Sequence, residues 1–113
     1  MQNYNSKVKN ITLFIDTASN QEITVGITIN GEKDFETKKI GRQKAQIVLP
    51  LVQKLLKKHK LSIHDITNIE VATGPGSFTG LRVGISIANA LSFALNIPIN
   101  NQKPGTIVDA SYE

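Results

Sequence analysis

Gly74-Pro75-Gly76-Ser77-Phe78-Thr79-Gly80-Leu81-Arg82-Val83-Gly84 holds four of the eight glycines in this 113-residue chain. An apolar run over 68–73 enters it, and a small-residue segment over 79–95 leaves it. Glycine accepts positive φ and lets another backbone approach closely, so the spacing predicts a shaped strand-to-helix turn. Ser77 or Thr79 is placed to cap the helix that follows. The unpaired N–H groups of such a helix start suit an anion or a carboxylate of a partner.

Upstream, Ile11-Thr-Leu-Phe-Ile15 is apolar on both faces, as a central strand requires. Residues 22–29 alternate, with Ile23, Val25, Ile27 and Ile29 on one side and Glu22, Thr24 and Thr28 on the other. Asn30-Gly31 signals a two-residue hairpin leading to a polar third strand over 32–39, with Phe35 as its anchor and lysines suited to an edge. Val48, Leu51, Val52 and Leu55 fall at helical spacing, predicting a helix over 42–59 that Pro50 kinks or begins. Lys54, Lys57, Lys58 and Lys60 crowd its C-terminal end. Residues 68–73 read as a fourth strand, 79–95 as a second helix and Ile97-Pro-Ile99 as a short last strand. A right-handed crossover then sets the fourth strand beside the first. The reading is an α/β domain of ribonuclease-H-like plan, with a mixed five-stranded sheet and two main helices. A flexible arm is expected over 1–10, the lobe over 11–100 and a tail over 101–113.

The residues carrying this plan resemble the N-terminal lobe of the TsaB (YeaZ) family. They are Phe14-Ile15-Asp16-Thr17-Ala18-Ser19, the Leu49-Pro50 pair, the eleven-residue glycine run, Ala88-Asn89-Ala90-Leu91 and Asn96-Ile-Pro98. The resemblance spans roughly residues 11–99. It implies one lobe of the actin-like ATPase fold, and a cytoplasmic, non-catalytic subunit in the formation of tRNA N6-threonylcarbamoyladenosine. It further implies a helix-bundle pairing with a catalytic TsaD-like subunit, self-pairing as a homodimer, a TsaE-like ATPase as a further partner, and only indirect or weak tRNA contact. The family's His-Ser-Glu stretch before the Leu-Leu-Pro of the first helix reads Lys44-Ala45-Gln46 here, before Ile47-Val48-Leu49-Pro50. The second lobe is expected to be absent, in a one-lobe variant or a fragment.

The candidate residues fall into three groups. The signature loop (Gly74, Pro75, Gly76, Ser77, Phe78, Thr79, Gly80, Arg82, Gly84) is a structural turn, an anion cradle or a partner contact. It is no P-loop, for no Gly-Lys-Ser/Thr follows. Arg82 is either a bidentate clamp for an acidic group or a solvated helix residue. Asp16 and Thr17 stand where actin-like ATPases place their first phosphate loop, but Asp-Thr-Ala-Ser-Asn lacks its glycine-rich half and favours a self-bonded turn. Val48, Val52, Leu55, Gly84, Ala88 and Leu95 are assigned to the partner-facing helix surface.

Composition narrows the alternatives. With no cysteine and only His59 and His64, five apart across a helix end, no metal site and no nucleophile–base pair assembles. No catalytic residue and no cofactor are assigned. No apolar run approaches the roughly 18 residues of a membrane span. The net charge of +4 permits an acidic partner or RNA without demanding either. A self-pairing nucleotide-binding lobe and a small basic RNA-binding module remain as the rival readings.

Overall fold

The computed structural model describes residues 9–40 and 45–111. Its elements are β1 (Ile11–Asp16), β2 (Glu22–Ile29), β3 (Glu32–Lys39), α1 (Ala45–Lys58), a 3-10 turn (Ile63–Asp65), β4 (Asn68–Val71) and α2 (Phe78–Leu95). The expected N-terminal arm lies almost wholly outside the described residues, as does the start of the helix expected from residue 42.

The sheet runs β3-β2-β1-β4, antiparallel within the first three strands and parallel between β1 and β4. Asn30 and Gly31 both adopt positive φ (49° and 92°), as a two-residue hairpin requires. Alternation then sends Ile11, Leu13, Ile15, Ile23, Val25 and Ile27 to one face, where α1 and α2 bury them with Ile69 and Val71 of β4. Pro50 lies within a continuous α1, on its solvent side, where its ring denies the Gln46 carbonyl its usual donor.

The opposite face carries Phe14, Gly26 and Phe35 in one row across β1, β2 and β3. The two rings lie 5.6 Å apart, tilted by 48°. A β-carbon on Gly26 would come within 2.7 Å of the Phe35 ring. Phe35 therefore anchors the outer face, at 44% exposure, and not the helix-covered core.

The expected fifth strand is the main correction. Only Ile99 bridges β4, at Ile69, and the sheet has four strands. Asn100 and Asn101 both take positive φ (47° and 63°) and turn the chain back, so that Gln102 meets Ile99. The Asn100 side chain replaces the strand that would have continued. Its Oδ1 accepts from Val71 N at 2.8 Å and its Nδ2 donates to Val71 O at 3.1 Å.

The segment expected as a tail packs on α2. Asn89 grips the Val108 backbone at both ends, Nδ2 donating to its carbonyl at 2.9 Å and Oδ1 accepting from its amide at 3.0 Å. Val108 is buried, and the Ser111 amide reaches the Thr73 carbonyl at 2.6 Å. Buried Ser92 joins the same strap, donating to Ile97 O at 2.7 Å and accepting from Gly105 N at 3.2 Å.

Candidate functional site

Two turns meet where β1 and β4 end. Asp16 Oδ1 accepts from Ala18 N at 2.9 Å, the self-bonded turn its Asp-Thr-Ala-Ser sequence favours. The Ala18 carbonyl then accepts from Ser77 N in the signature loop at 2.8 Å. Gly76 is pressed so closely against this turn that a β-carbon would lie 2.6 Å from Ala18 Cβ. The two turns are thus clasped, joined by one backbone hydrogen bond and by the close approach of Gly76 to Ala18. Gly74 adopts φ 137°, and the Gly74–Pro75 peptide is cis.

Thr17 makes the deeper connection. Its side chain is fully buried, and its hydroxyl donates to the Gly80 carbonyl at 2.6 Å and accepts from the Gly84 amide at 3.0 Å. Gly80 and Gly84 are the i and i+4 positions of one turn of α2, so the hydroxyl inserts between the two ends of a ladder step. With donor and acceptor both engaged inside the protein, Thr17 is committed to holding α2 on β1. Ser77 starts that helix as its N-cap, its Oγ accepting from Gly80 N at 3.1 Å.

The helix faces divide differently from the sequence assignment. Val48, Val52, Leu55, Gly84 and Ala88 are all buried against the sheet, and Leu95 is half-buried. The five buried residues are covered within the lobe itself. The reason is geometric: periodicity marks an apolar stripe, and the stripe at 48, 52 and 55 is the buried one, on a helix that packs chiefly on β2.

A second apolar stripe lies outside. On α2, Val83, Ile87, Ala90 and Ala94 recur at helical spacing, the first two half-buried and the last two exposed. Leu49 on α1 is 44% exposed and Phe78 at the α2 start 57%. Ala45, Phe78, Thr79, Arg82, Val83, Ser86 and Ile87 line a cleft of about 450 Å³ between the helix starts. Arg82 is the only charged residue of α2, and its guanidinium stands 5.3 Å from the Phe78 ring centre and 3.8 Å from Asp109. Eighteen residues long, α2 is by length and composition apolar enough to cross a membrane, although one face of it is fixed to the sheet.

The basic end of α1 faces β3. Lys58 Nζ lies 2.9 Å from Asp34 Oδ2, His59 Nε2 lies 2.7 Å from the same oxygen, and Lys54 lies 3.8 Å from Glu36. The Lys58 ammonium, hydrogen-bonded to Asp34, holds that carboxyl below its ordinary range, with His59 adding to the effect. The same bond holds Lys58 above its own. His64, by contrast, is placed by its backbone, whose N–H donates to the Ser62 hydroxyl of the 3-10 cap.

The profile of the family described as "TsaD: tRNA N6-adenosine threonylcarbamoyltransferase" matches residues 28–101. A protein of Haemophilus influenzae described as "tRNA threonylcarbamoyladenosine biosynthesis protein TsaB" is 30% identical over 92 residues, covering 81% of this chain and 39% of that protein. The chain belongs to the TsaB (YeaZ) family. An Escherichia coli protein of the same description is 36% identical over 87 residues, covering 77% of this chain and 37% of that one. The solved YeaZ of Pseudomonas aeruginosa superposes with a TM-score of 0.75 at 31% identity, over 80% of this chain and 42% of its own. The TsaB architecture seen here is a single actin-like, ribonuclease-H-like lobe, and the chain spans about two fifths of the length of these relatives.

Proposed function

We propose that this chain acts in the cytoplasm as a non-catalytic pairing subunit of the machinery that forms tRNA N6-threonylcarbamoyladenosine. Its α1–α2 face would dock against the corresponding helices of a TsaD-like catalytic subunit. The observation that carries this reading is the outer stripe Val83, Ile87, Ala90 and Ala94. It extends over three turns of α2 and is flanked by Leu49 and Phe78. Small residues let a facing helix approach closely, and the single charge, Arg82, sits at one end of the stripe. The names of the relatives supply the process.

tRNA contact is assigned to the partner. Two lysines of the basic helix end, Lys54 and Lys58, are turned to Glu36 and Asp34, which weakens the case for a free cationic platform. Self-pairing would use the same stripe, with a TsaE-like ATPase joining the assembled pair.

The test is light scattering and titration of the chain against the TsaD-like protein of the same organism. A complex at micromolar concentration is expected, with affinity lowered at least a hundredfold by Ala90→Glu or Ala94→Glu. Both positions are exposed, so the lobe itself should keep its stability. The chain alone should modify no tRNA, and its addition should raise the partner's activity. Absence of a complex, or a complex indifferent to both substitutions, overturns the reading.

A further inference from the structure

We propose that the free edge of β3, with the groove between it and α1, receives an extended acidic segment of a protein partner as an added strand. β3 is the terminal strand of the sheet, and among the described residues nothing pairs with its outer edge. The hairpin fixes which groups that edge presents. Ile29 and Glu32 flank a two-residue turn, and Ile40 N donates to Gln21 O at 3.0 Å, so even-numbered residues bond inward to β2. The N–H and C=O groups of Lys33, Phe35, Thr37 and Lys39 consequently point outward. Four residues of a recruited strand have their backbone partners waiting.

A groove lies beside that edge. Glu36, Thr37 and Lys38 on the strand, with Gln46, Ile47, Pro50, Leu51 and Lys54 on the helix, enclose about 290 Å³. An edge strand beside a helix, with a groove of mixed polarity between, suits an extended peptide added to the sheet: the backbone bonds supply affinity and alternate side chains enter the groove. Ile47, Pro50 and Leu51 form an apolar floor for one such side chain. Phe35, 44% exposed, offers a contact on the other face.

Charge selects the occupant. Asp34 and Glu36 are engaged by Lys58, His59 and Lys54 of α1. Among the described residues no carboxylate lies within ion-pair distance of Lys33, Lys38 or Lys39, and Glu32 is the one β3 carboxylate not engaged by α1, which leaves the edge net basic. Edge lysines deter indiscriminate strand pairing, and a second copy of β3 is deterred specifically. The antiparallel register that keeps odd-numbered residues opposite one another sets Lys33 against Lys39 twice and Glu36 against its own copy, with Asp34, already held by Lys58, facing Lys38. An acidic strand meets attraction at the same positions. The surface is distinct from the α2 stripe, because Ile47 and Lys54 lie about half a turn around α1 from Ala45 and Leu49.

The probe is a capped nine-residue peptide alternating Glu with Val and Leu, titrated into the isotope-labelled chain. Saturation should slow amide hydrogen exchange at Lys33, Phe35, Thr37 and Lys39 at least tenfold and leave Asp34 and Glu36 unchanged. Thr37→Pro removes one outward donor and no ladder bond, and should weaken binding at least tenfold while the α2 resonances stay in place. The same peptide with Lys for Glu should not bind. The proposal is overturned if no protection develops at millimolar peptide, or if protection ignores the odd–even pattern. Equal binding of the lysine peptide, preference for a single-stranded oligouridylate, or concentration-dependent self-pairing through β3 would overturn it too.

Discussion

Thr17 stands against Gly84 with no room for a β-carbon between them. The built atom would lie 2.5 Å from Thr17 Oγ1 and 3.2 Å from Ile15 Cγ2. In a helix interior alanine ordinarily gains about 1 kcal/mol over glycine. Here the clash and the displaced hydroxyl oppose that gain. Gly84→Ala should be net destabilising by about 1–3 kcal/mol, the scale of overpacking and of a broken buried hydrogen bond. Urea denaturation decides it, and a stabilised variant would refute the close approach.

Thr17 itself separates shape from hydrogen bonding. Thr17→Val keeps the volume and removes a hydroxyl that bonds to both Gly80 and Gly84. It should cost about 1–3 kcal/mol, whereas Thr17→Ser should cost less because the hydroxyl remains. Thermal melts of the two variants should fall in that order.

The Asp34 pair makes a pH prediction with two limbs. The Asp34 pKa is lowered from 3.8, chiefly by the hydrogen bond from Lys58. That contribution is present above pH 3.8 and lost as pH falls further toward the depressed folded value. The Lys58 pKa is raised from 10.5, so its contribution is present below pH 10.5 and lost as pH rises beyond it. The stability difference between the wild type and Asp34→Asn should shrink at both the acid and the alkaline ends. Guanidinium midpoints measured from acid to alkaline pH would show it, and a difference that grows on acidification would contradict the pairing.

Asn89 holds the last described segment to the lobe. Asn89→Ala removes two hydrogen bonds to the Val108 backbone and should cost about 1–2 kcal/mol. Amide exchange at Val108 should rise far more than exchange in β1. Uniform loss of protection across the sheet would instead mean that the strap is integral to global folding.

Much of the frame was legible in the sequence because each signal is local. Alternation marked β2, Asn30-Gly31 marked the turn into β3, and Ser77 or Thr79 bracketed the start of α2. What escaped was relational. A stripe at 48, 52 and 55 shows that a helix face is apolar, yet spacing alone does not say whether a sheet or a partner covers it. Here the sheet claimed that stripe, and Ala90 and Ala94 were left exposed beside half-buried Val83 and Ile87. Thr17 in a polar turn carried no mark of a hydroxyl destined for a helix ladder 63 residues away. The fifth strand failed for a reason visible only in three dimensions, the Asn100 carboxamide taking the place of a backbone.

That substitution has a consequence for assembly. Along β4, the outward groups of Ile69 bond to Pro98 and Asn100, and those of Val71 bond to the Asn100 side chain. One flank of the sheet is therefore chemically closed, and among the described residues only β3 remains open. A sheet with two open flanks can propagate into fibres, whereas this one has a valence of one. Any union made through its strands ends after a single partner.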